Sequence, residues 1–327
     1  PMDTRTPLLS AKRDFNRLGL SLLAMALIPL LVQLVLAFVI ALLTPSGGLT
    51  ERASIGTLLG LLPLYAVAYP ASLLILRTVP AAPYTPAKLR AKDYWTLFLI
   101  CLPLLFGGSL IGNALSALLS GGRSTNPVDS LLSELGWLEV LTTVVLAPLF
   151  EEFIFRKQLI DRSARYGEGA AIVFSALMFG LFHMNLYQFF YAFLLGLVFG
   201  YVYLRTRRLR YTVFMHMSIN AIGGVLPMLL LRYVGDDVLE MEDFSAALSA
   251  PDGAVTKYLL MSAYSLLIFA LCITGFVLLI AKCRRLVLLP APDELPRGTR
   301  LRTICCAGVI SFTLVCVLVG ILYLFLL

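Results

Sequence analysis

Nine apolar runs divide this chain, at approximately residues 18–43, 54–76, 94–119, 131–155, 169–183, 187–204, 211–231, 258–281 and 303–326. A helix needs about 20 apolar residues to cross a hydrocarbon layer roughly 30 Å thick, so runs of this length read as membrane-spanning helices. Of the 327 residues 59% are hydrophobic and 14% are charged. A soluble domain carries about 25% charge, so the composition excludes that class. The expected fold is an all-α, polytopic membrane helix bundle of about 8–9 transmembrane helices. The uncertainty in the count comes from the short fifth run, which is tightly joined to the sixth.

The net charge of +7 raises the question of a nucleic-acid partner, and the placement of the charge answers it. With the N-terminus on the cytoplasmic side and nine crossings, all but four of the 26 Lys and Arg fall in cytoplasmic segments. The exceptions are Arg52, Arg123, Arg232 and Lys257, and the acidic stretch "GDDVLEMED" (235–243) falls on the outer side with them. That split is the positive-inside pattern, so basicity reports topology and contact with anionic lipid, with no nucleic acid implied. The expected location is a bacterial cytoplasmic membrane. Cys101, Cys272, Cys283, Cys305, Cys306 and Cys316 form no CxxC pair and read as small apolar packing residues. The first apolar run is longer than the apolar core of a signal peptide and is followed by no clear small-x-small cleavage site, so a retained anchor is expected.

Three parts follow from the connectors. Residues 1–93 hold two helices and a basic, proline-bearing loop, "RTVPAAPYTPAKLRAKD" (77–93); residues 232–327 hold the acidic outer loop and two further helices. Between them, residues 94–231 hold five spans and nearly all the polar groups that a lipid environment does not explain. The four flanking helices are expected to surround this core and face lipid.

The polar groups begin with "APLFEEFIFR" (147–156), where Glu151, Glu152 and Arg156 close an apolar run. A charge near the middle of a membrane helix costs about 2.5–3.5 kcal/mol on insertion scales, so such groups face a partner or a wet cavity. If 137–165 is one helix, Glu152 and Arg156 lie four apart on one face in the favourable order for an ion pair. Glu151 then points about 100° away and is left for chemistry. Only two histidines occur, His183 and His216, both in predicted spans, and Asn220 lies four residues after His216 on the same face. Glu151 and His183 are each 16 residues from the expected turn at Gly167, which puts them at one depth in an antiparallel hairpin. His216 lies nearer its own turn and requires a displaced or tilted seventh helix to join them. A carboxylate and an imidazole that share a water can deprotonate it for attack on a carbonyl, while a second imidazole and a carboxamide donate to the oxyanion. The set reads as a hydrolase.

At these residues the sequence resembles the CAAX protease and bacteriocin-processing (Abi) family of intramembrane endopeptidases. The family's three motifs occur in order: EExxxR as "EEFIFR" (151–156), FxxxH as "FGLFH" (179–183) and HxxxN as "HMSIN" (216–220). The resemblance covers about residues 131–231. It implies that Glu151 and His183 activate the water, that His216 and Asn220 form the oxyanion site, and that Glu152 and Arg156 orient the first carboxylate. It also implies a membrane-associated peptide or protein substrate, reached through a cavity open to the cytoplasm. Eukaryotic members trim prenylated C-termini, and bacterial members are linked to peptide maturation, bacteriocin self-immunity and leader cleavage. No residue pattern in this chain selects among these, and none indicates an oligomeric state.

Two other readings remain open. Glu151, His183 and His216 are a conceivable zinc set, but HExxH is absent and the Asn at the fourth position after His216 suits an oxyanion better, so no cofactor is favoured over zinc. The second reading is a non-enzymatic peptide transporter or bacteriocin-immunity protein with the same polar cavity. Internal hydropathy symmetry would mark a carrier, and none is evident. Ser175 and Ser218 lack a GxSxG context. "FGGSLIG" (106–112) reads as close packing of helices, and Tyr187, Gln188 and Tyr191 read as an interfacial belt or as the lining of a substrate path.

Overall fold

The computed structural model describes residues 5–43, 60–127, 136–235 and 253–326, with the single positions 238 and 248. These residues form helices and no strand. Nine rods follow one another among them: α1 (Arg5–Leu43), α2 (Gly60–Leu76), α3 (Ala91–Ser120), α4 (137–166), α5 (Glu168–Phe182), α6 (Leu186–Thr206), α7 (Leu209–Val234), α8 (Ala254–Lys282) and α9 (Ala307–Leu326). Six of them, α1, α3, α6, α7, α8 and α9, are long and apolar enough to cross a membrane, and α2 and α5 are shorter apolar helices. The chain is therefore a multi-pass helical membrane protein. The starts of the second and fourth expected spans (54–59 and 131–135) and most of the acidic outer stretch lie outside the described residues.

Connectors that the charge pattern assigns to one side of the membrane meet at one end of the bundle. Tyr166 donates to Asp14 at 2.6 Å and Arg17 donates to the Thr78 carbonyl at 2.9 Å. The amides of Ala82, Ala87 and Asp293 donate to the carbonyls of Asp161, Thr206 and Arg165. At the opposite end Tyr187 and Tyr323 donate to the carbonyls of Ser124 and Thr125. The basic stretch "RTRRLR" thus packs against protein: Arg207 binds buried Asp161 at 2.9 Å, and Arg205 pairs with Glu168.

α1 begins well before its apolar run, and the difference has a packing cause. Ala11, Phe15, Leu18 and Leu22 are buried in the cluster that also holds Ile154, Phe155 and Phe179. Farther along, Leu34 and Phe38 are 69% and 65% exposed, the face expected to meet lipid. The last span breaks at Cys305–Cys306, after a short helical turn at Arg300–Ile304.

Prolines shape α2, α4 and α7. Proline has no N–H to donate and its ring crowds the carbonyl four residues back. Each of Pro70, Pro148 and Pro227 follows directly on a wide π-helical turn, at Pro63–Ala68, Thr142–Leu146 and Ala221–Val225, which moves that carbonyl aside. In a π turn the amide bonds five residues back, as Ala147 does to Thr142 and Leu226 to Ala221. The next amide would be that of proline, so the carbonyls of Thr143 and Ile222 are left without a helical donor. Side chains from other helices take both: Asn220 donates to Thr143 at 2.8 Å and Tyr264 to Ile222 at 3.0 Å.

Between apolar helices in lipid the association depends on close packing. Along α3, a Cβ on Gly108 would lie 2.6 Å from the Tyr191 backbone, and one on Gly112 would lie 2.5 Å from the Leu186 carbonyl. "FGGSLIG" is therefore the seat of α6. Gly275 of α8 sits against the carbonyl of Leu99, the one that Pro103 leaves unbonded four residues later, at a distance of 2.0 Å from a notional Cβ.

Candidate active site

α4 supplies the two glutamates at a junction of helical geometry. Glu151 ends an α-helical turn begun by Ala147, and Glu152 opens a π-helical segment running to Gln158. No proline explains this π segment. It coincides instead with the fully buried ion pair of Arg156 Nε with Glu152 Oε2 at 3.1 Å, the pair that the spacing predicts. Arg156 Nη1 donates to Ser175 Oγ at 3.1 Å, and Ser175 donates to the Phe155 carbonyl at 2.5 Å. The guanidinium also lies 4.7 Å from the Phe179 ring centre and 5.7 Å from that of Phe199. Ser175 is thus an anchor for the arginine and makes none of the contacts of a nucleophile.

His216 sits between the two glutamates. Its Nδ1 lies 3.1 Å from Glu152 Oε1, and its Nε2 lies 3.6 Å from Glu151 Oε2. The seventh helix therefore reaches the glutamates directly, and the contact that Glu151 makes is with His216. The turn between α4 and α5 falls at Gly167, as the depth count of Glu151 and His183 assumes. His216 is 5% exposed and is wedged between Phe179 and Phe199, with ring centres 5.7 and 5.4 Å away.

His183 caps α5 and is tied to it. Its Nδ1 lies 2.9 Å from the Phe179 carbonyl, and since a carbonyl only accepts, Nδ1 carries the proton. The Phe179 ring lies 5.0 Å from the His183 ring and so separates the two imidazoles. Glu152 is an acceptor beside Arg156, so Nδ1 of His216 is a donor as well. Both histidines are thus held through Nδ1, and both Nε2 atoms are left for chemistry. Asn220 stands one helical turn from His216, where the orphaned Thr143 carbonyl fixes its carboxamide and a second amide N–H remains. Among the described residues no group of three His, Cys, Asp or Glu is arranged to hold a metal ion.

Several contributors carry no charge and escape a reading based on charge. Met184 adopts a left-handed φ of 54° in the tight turn from α5 to α6, and Asn185 caps α6 by accepting from the Gln188 amide. Asn185 donates to Gln188 Oε1 at 2.9 Å, and Gln188 Nε2 donates to the Tyr191 hydroxyl at 3.0 Å. Tyr191 faces His183 at 6.5 Å between ring centres.

A family model described as "Type II CAAX prenyl endopeptidase Rce1-like" matches residues 133–222, a stretch that includes Glu151, Glu152, Arg156, His183, His216 and Asn220. Among curated proteins, "Putative membrane peptidase YdiL" of Bacillus subtilis (strain 168) is 26% identical over 156 residues. The match covers 45% of this chain and 63% of that protein, so the chain spans less than two thirds of the relative's length. No solved structure matches the chain. Over residues 133–222, where the three ordered motifs lie, the chain is therefore similar to the type II CAAX prenyl endopeptidase family.

Proposed function

We propose that the protein is an intramembrane endopeptidase that hydrolyses a peptide bond of a membrane-associated peptide or protein, without a metal ion. The observation that carries this reading is the pair of imidazoles tethered through Nδ1, to the Phe179 carbonyl and to Glu152, with Glu151 beside the free Nε2 of His216. Glu151 removes a proton from a water shared with His183 Nε2, and the hydroxide attacks the scissile carbonyl. The Nε2 edge of His216, whose ring is held at Nδ1 by Glu152, and the second N–H of Asn220 form the site that stabilises the oxyanion. Collapse of the tetrahedral intermediate breaks the C–N bond, and the proton taken by Glu151 passes to the leaving amine. Glu152 and Arg156 are positioning residues: their ion pair fixes the imidazole without touching the substrate.

The protein lies in a bacterial cytoplasmic membrane with its N-terminus in the cytoplasm. The gathering of the basic connectors at one end of the bundle supports this orientation. The test is Glu151→Gln in cells, with folding confirmed in detergent, followed by comparison of the peptide profiles of the two strains. Loss of a discrete cleavage product supports the peptidase. Unchanged products with lost peptide transport or lost bacteriocin resistance would instead establish the carrier or immunity reading.

A further inference from the structure

A second polar site lies apart from the glutamates and histidines, at the basic end of the bundle. A cavity of about 360 Å³ opens between the start of α3, the end of α6 and the end of α8. Arg90, Arg205 and Lys282 bring three positive charges to its lining against the single carboxylate of Asp93. Asp93 is taken by Arg90, at 2.7 Å, and Glu168 is taken by Arg205 and by the amide of Leu289. Arg205 Nε remains buried with no acceptor, and exposed Lys282 makes no hydrogen bond or salt bridge among the described residues, its charge acting on Asp93 only through space. Two cationic donors therefore point to an anion that the protein itself does not supply.

The other walls are apolar: Leu97 and Ile100 from α3, Val202 from α6, and Leu286 just beyond α8. Leu286 opens the run Leu286–Val287–Leu288–Leu289, whose members are 52%, 57%, 49% and 55% exposed. Four consecutive exposed aliphatic residues beside Lys282 are stable where acyl chains cover them, which places the mouth of the cavity at the membrane interface. Tyr201, whose ring lies 6.0 Å from the Arg205 guanidinium carbon, occupies the level at which aromatic residues meet headgroups. Free phosphate would use the two donors and leave the apolar wall uncovered. A zwitterionic headgroup would bring its own cation toward Arg90 and Lys282.

We infer that this cavity binds one anionic phospholipid, with its phosphate on Arg205 Nε and Lys282 Nζ and an acyl chain along Leu97, Ile100 and Leu286. Arg90 and Lys282 lie outside residues 133–222, so the site is a property of this chain beyond the family match. Binding ties α3, α6 and α8 together at one end, and it reaches the first residue of α5 through Glu168.

The test is native mass spectrometry of the full chain, purified in a mild detergent and titrated with phosphatidylglycerol, phosphatidylcholine or inorganic phosphate. The wild type should hold one phosphatidylglycerol, with no comparable binding of phosphatidylcholine. Lys282→Gln should weaken that binding about tenfold, the order expected for loss of a charge-assisted contact. Leu97→Trp, which fills the apolar wall and keeps every charge, should weaken it as well. Equal binding of phosphatidylcholine overturns the requirement for an anion. Displacement of the lipid by inorganic phosphate in the millimolar range overturns the role of the acyl chain. Unchanged phosphatidylglycerol binding in both variants overturns the location.

Discussion

The ion pair between Arg156 and Glu152 allows the sharpest energetic test. Both side chains are fully buried, with Nε and Oε2 3.1 Å apart. For charge centres about 4 Å apart and an effective dielectric constant of about 20, Coulomb's law gives roughly 4 kcal/mol. Removal of one partner from a buried pair costs about 3–5 kcal/mol, because the other charge is left uncompensated. Arg156→Met keeps the bulk between Phe179 and Phe199, removes the cation and leaves Glu152 facing His216 alone, so we expect a loss of about 4 kcal/mol. Glu152→Gln strands the arginine and costs a similar amount. In the double variant neither charge is present, and the total loss should fall short of the sum by about 3 kcal/mol or more. The assay is reversible unfolding in mixed micelles with rising SDS, read as a double-mutant cycle. A coupling within about 0.5 kcal/mol of zero would show that the pair does not stabilise the core, and it would refute the positioning role given to Glu152.

Ser175→Ala should destabilise the protein by about 1–3 kcal/mol through the lost support of Arg156 yet preserve hydrolysis; abolished turnover in a folded Ser175→Ala protein would mean that the serine takes part in chemistry. Pro148→Ala restores an amide that a π turn can offer to the Thr143 carbonyl, where it competes with the Asn220 carboxamide and loosens its hold. Activity should fall while thermal stability holds or rises, and a fall in stability with full activity would contradict the link. Gly108→Val should push α6 from α3 and lower both stability and turnover, since its side chain would meet the Tyr191 backbone; an unchanged melting profile would argue against that contact. Purified protein treated with a strong chelator should keep its activity and contain less than stoichiometric metal by elemental analysis; loss of activity restored by zinc would establish the metal-dependent version with Glu151, His183 and His216.

Much of this was legible in the chain because lipid is an intolerant solvent. A buried charge must be explained, and only a few groups in the apolar runs demand it, so Glu151, Glu152, Arg156, His183, His216 and Asn220 stand out without structural help. The i, i+4 pair of Glu152 and Arg156 is readable because helical spacing fixes it locally. The contact of Glu151 with His216 was not readable, because it depends on how α7 packs against α4, whose π turns shift the faces of the helix. The π turn at Thr142–Leu146 has a sequence signal in Pro148, as the one at Ala221–Val225 of α7 has in Pro227, whereas the segment at Glu152–Gln158 has none. Gln188 and Tyr191 stand out in the sequence as polar groups of a span, but the hydrogen bonds Asn185–Gln188–Tyr191, and Ser175 as the support of Arg156, are choices of partner that nothing local distinguishes. The cavity at Arg90, Arg205 and Lys282 joins three helices far apart in the chain, and only their packing brings it together.

The most direct test of the proposed chemistry is hydrolysis in oxygen-18 water by the protein in liposomes, offered membrane peptides from its host and read by mass spectrometry. Activation of water by Glu151 predicts discrete products whose new C-terminal carboxylate carries one heavy oxygen, and their disappearance in a folded Glu151→Gln variant. Labelled products formed equally well by Glu151→Gln would contradict it.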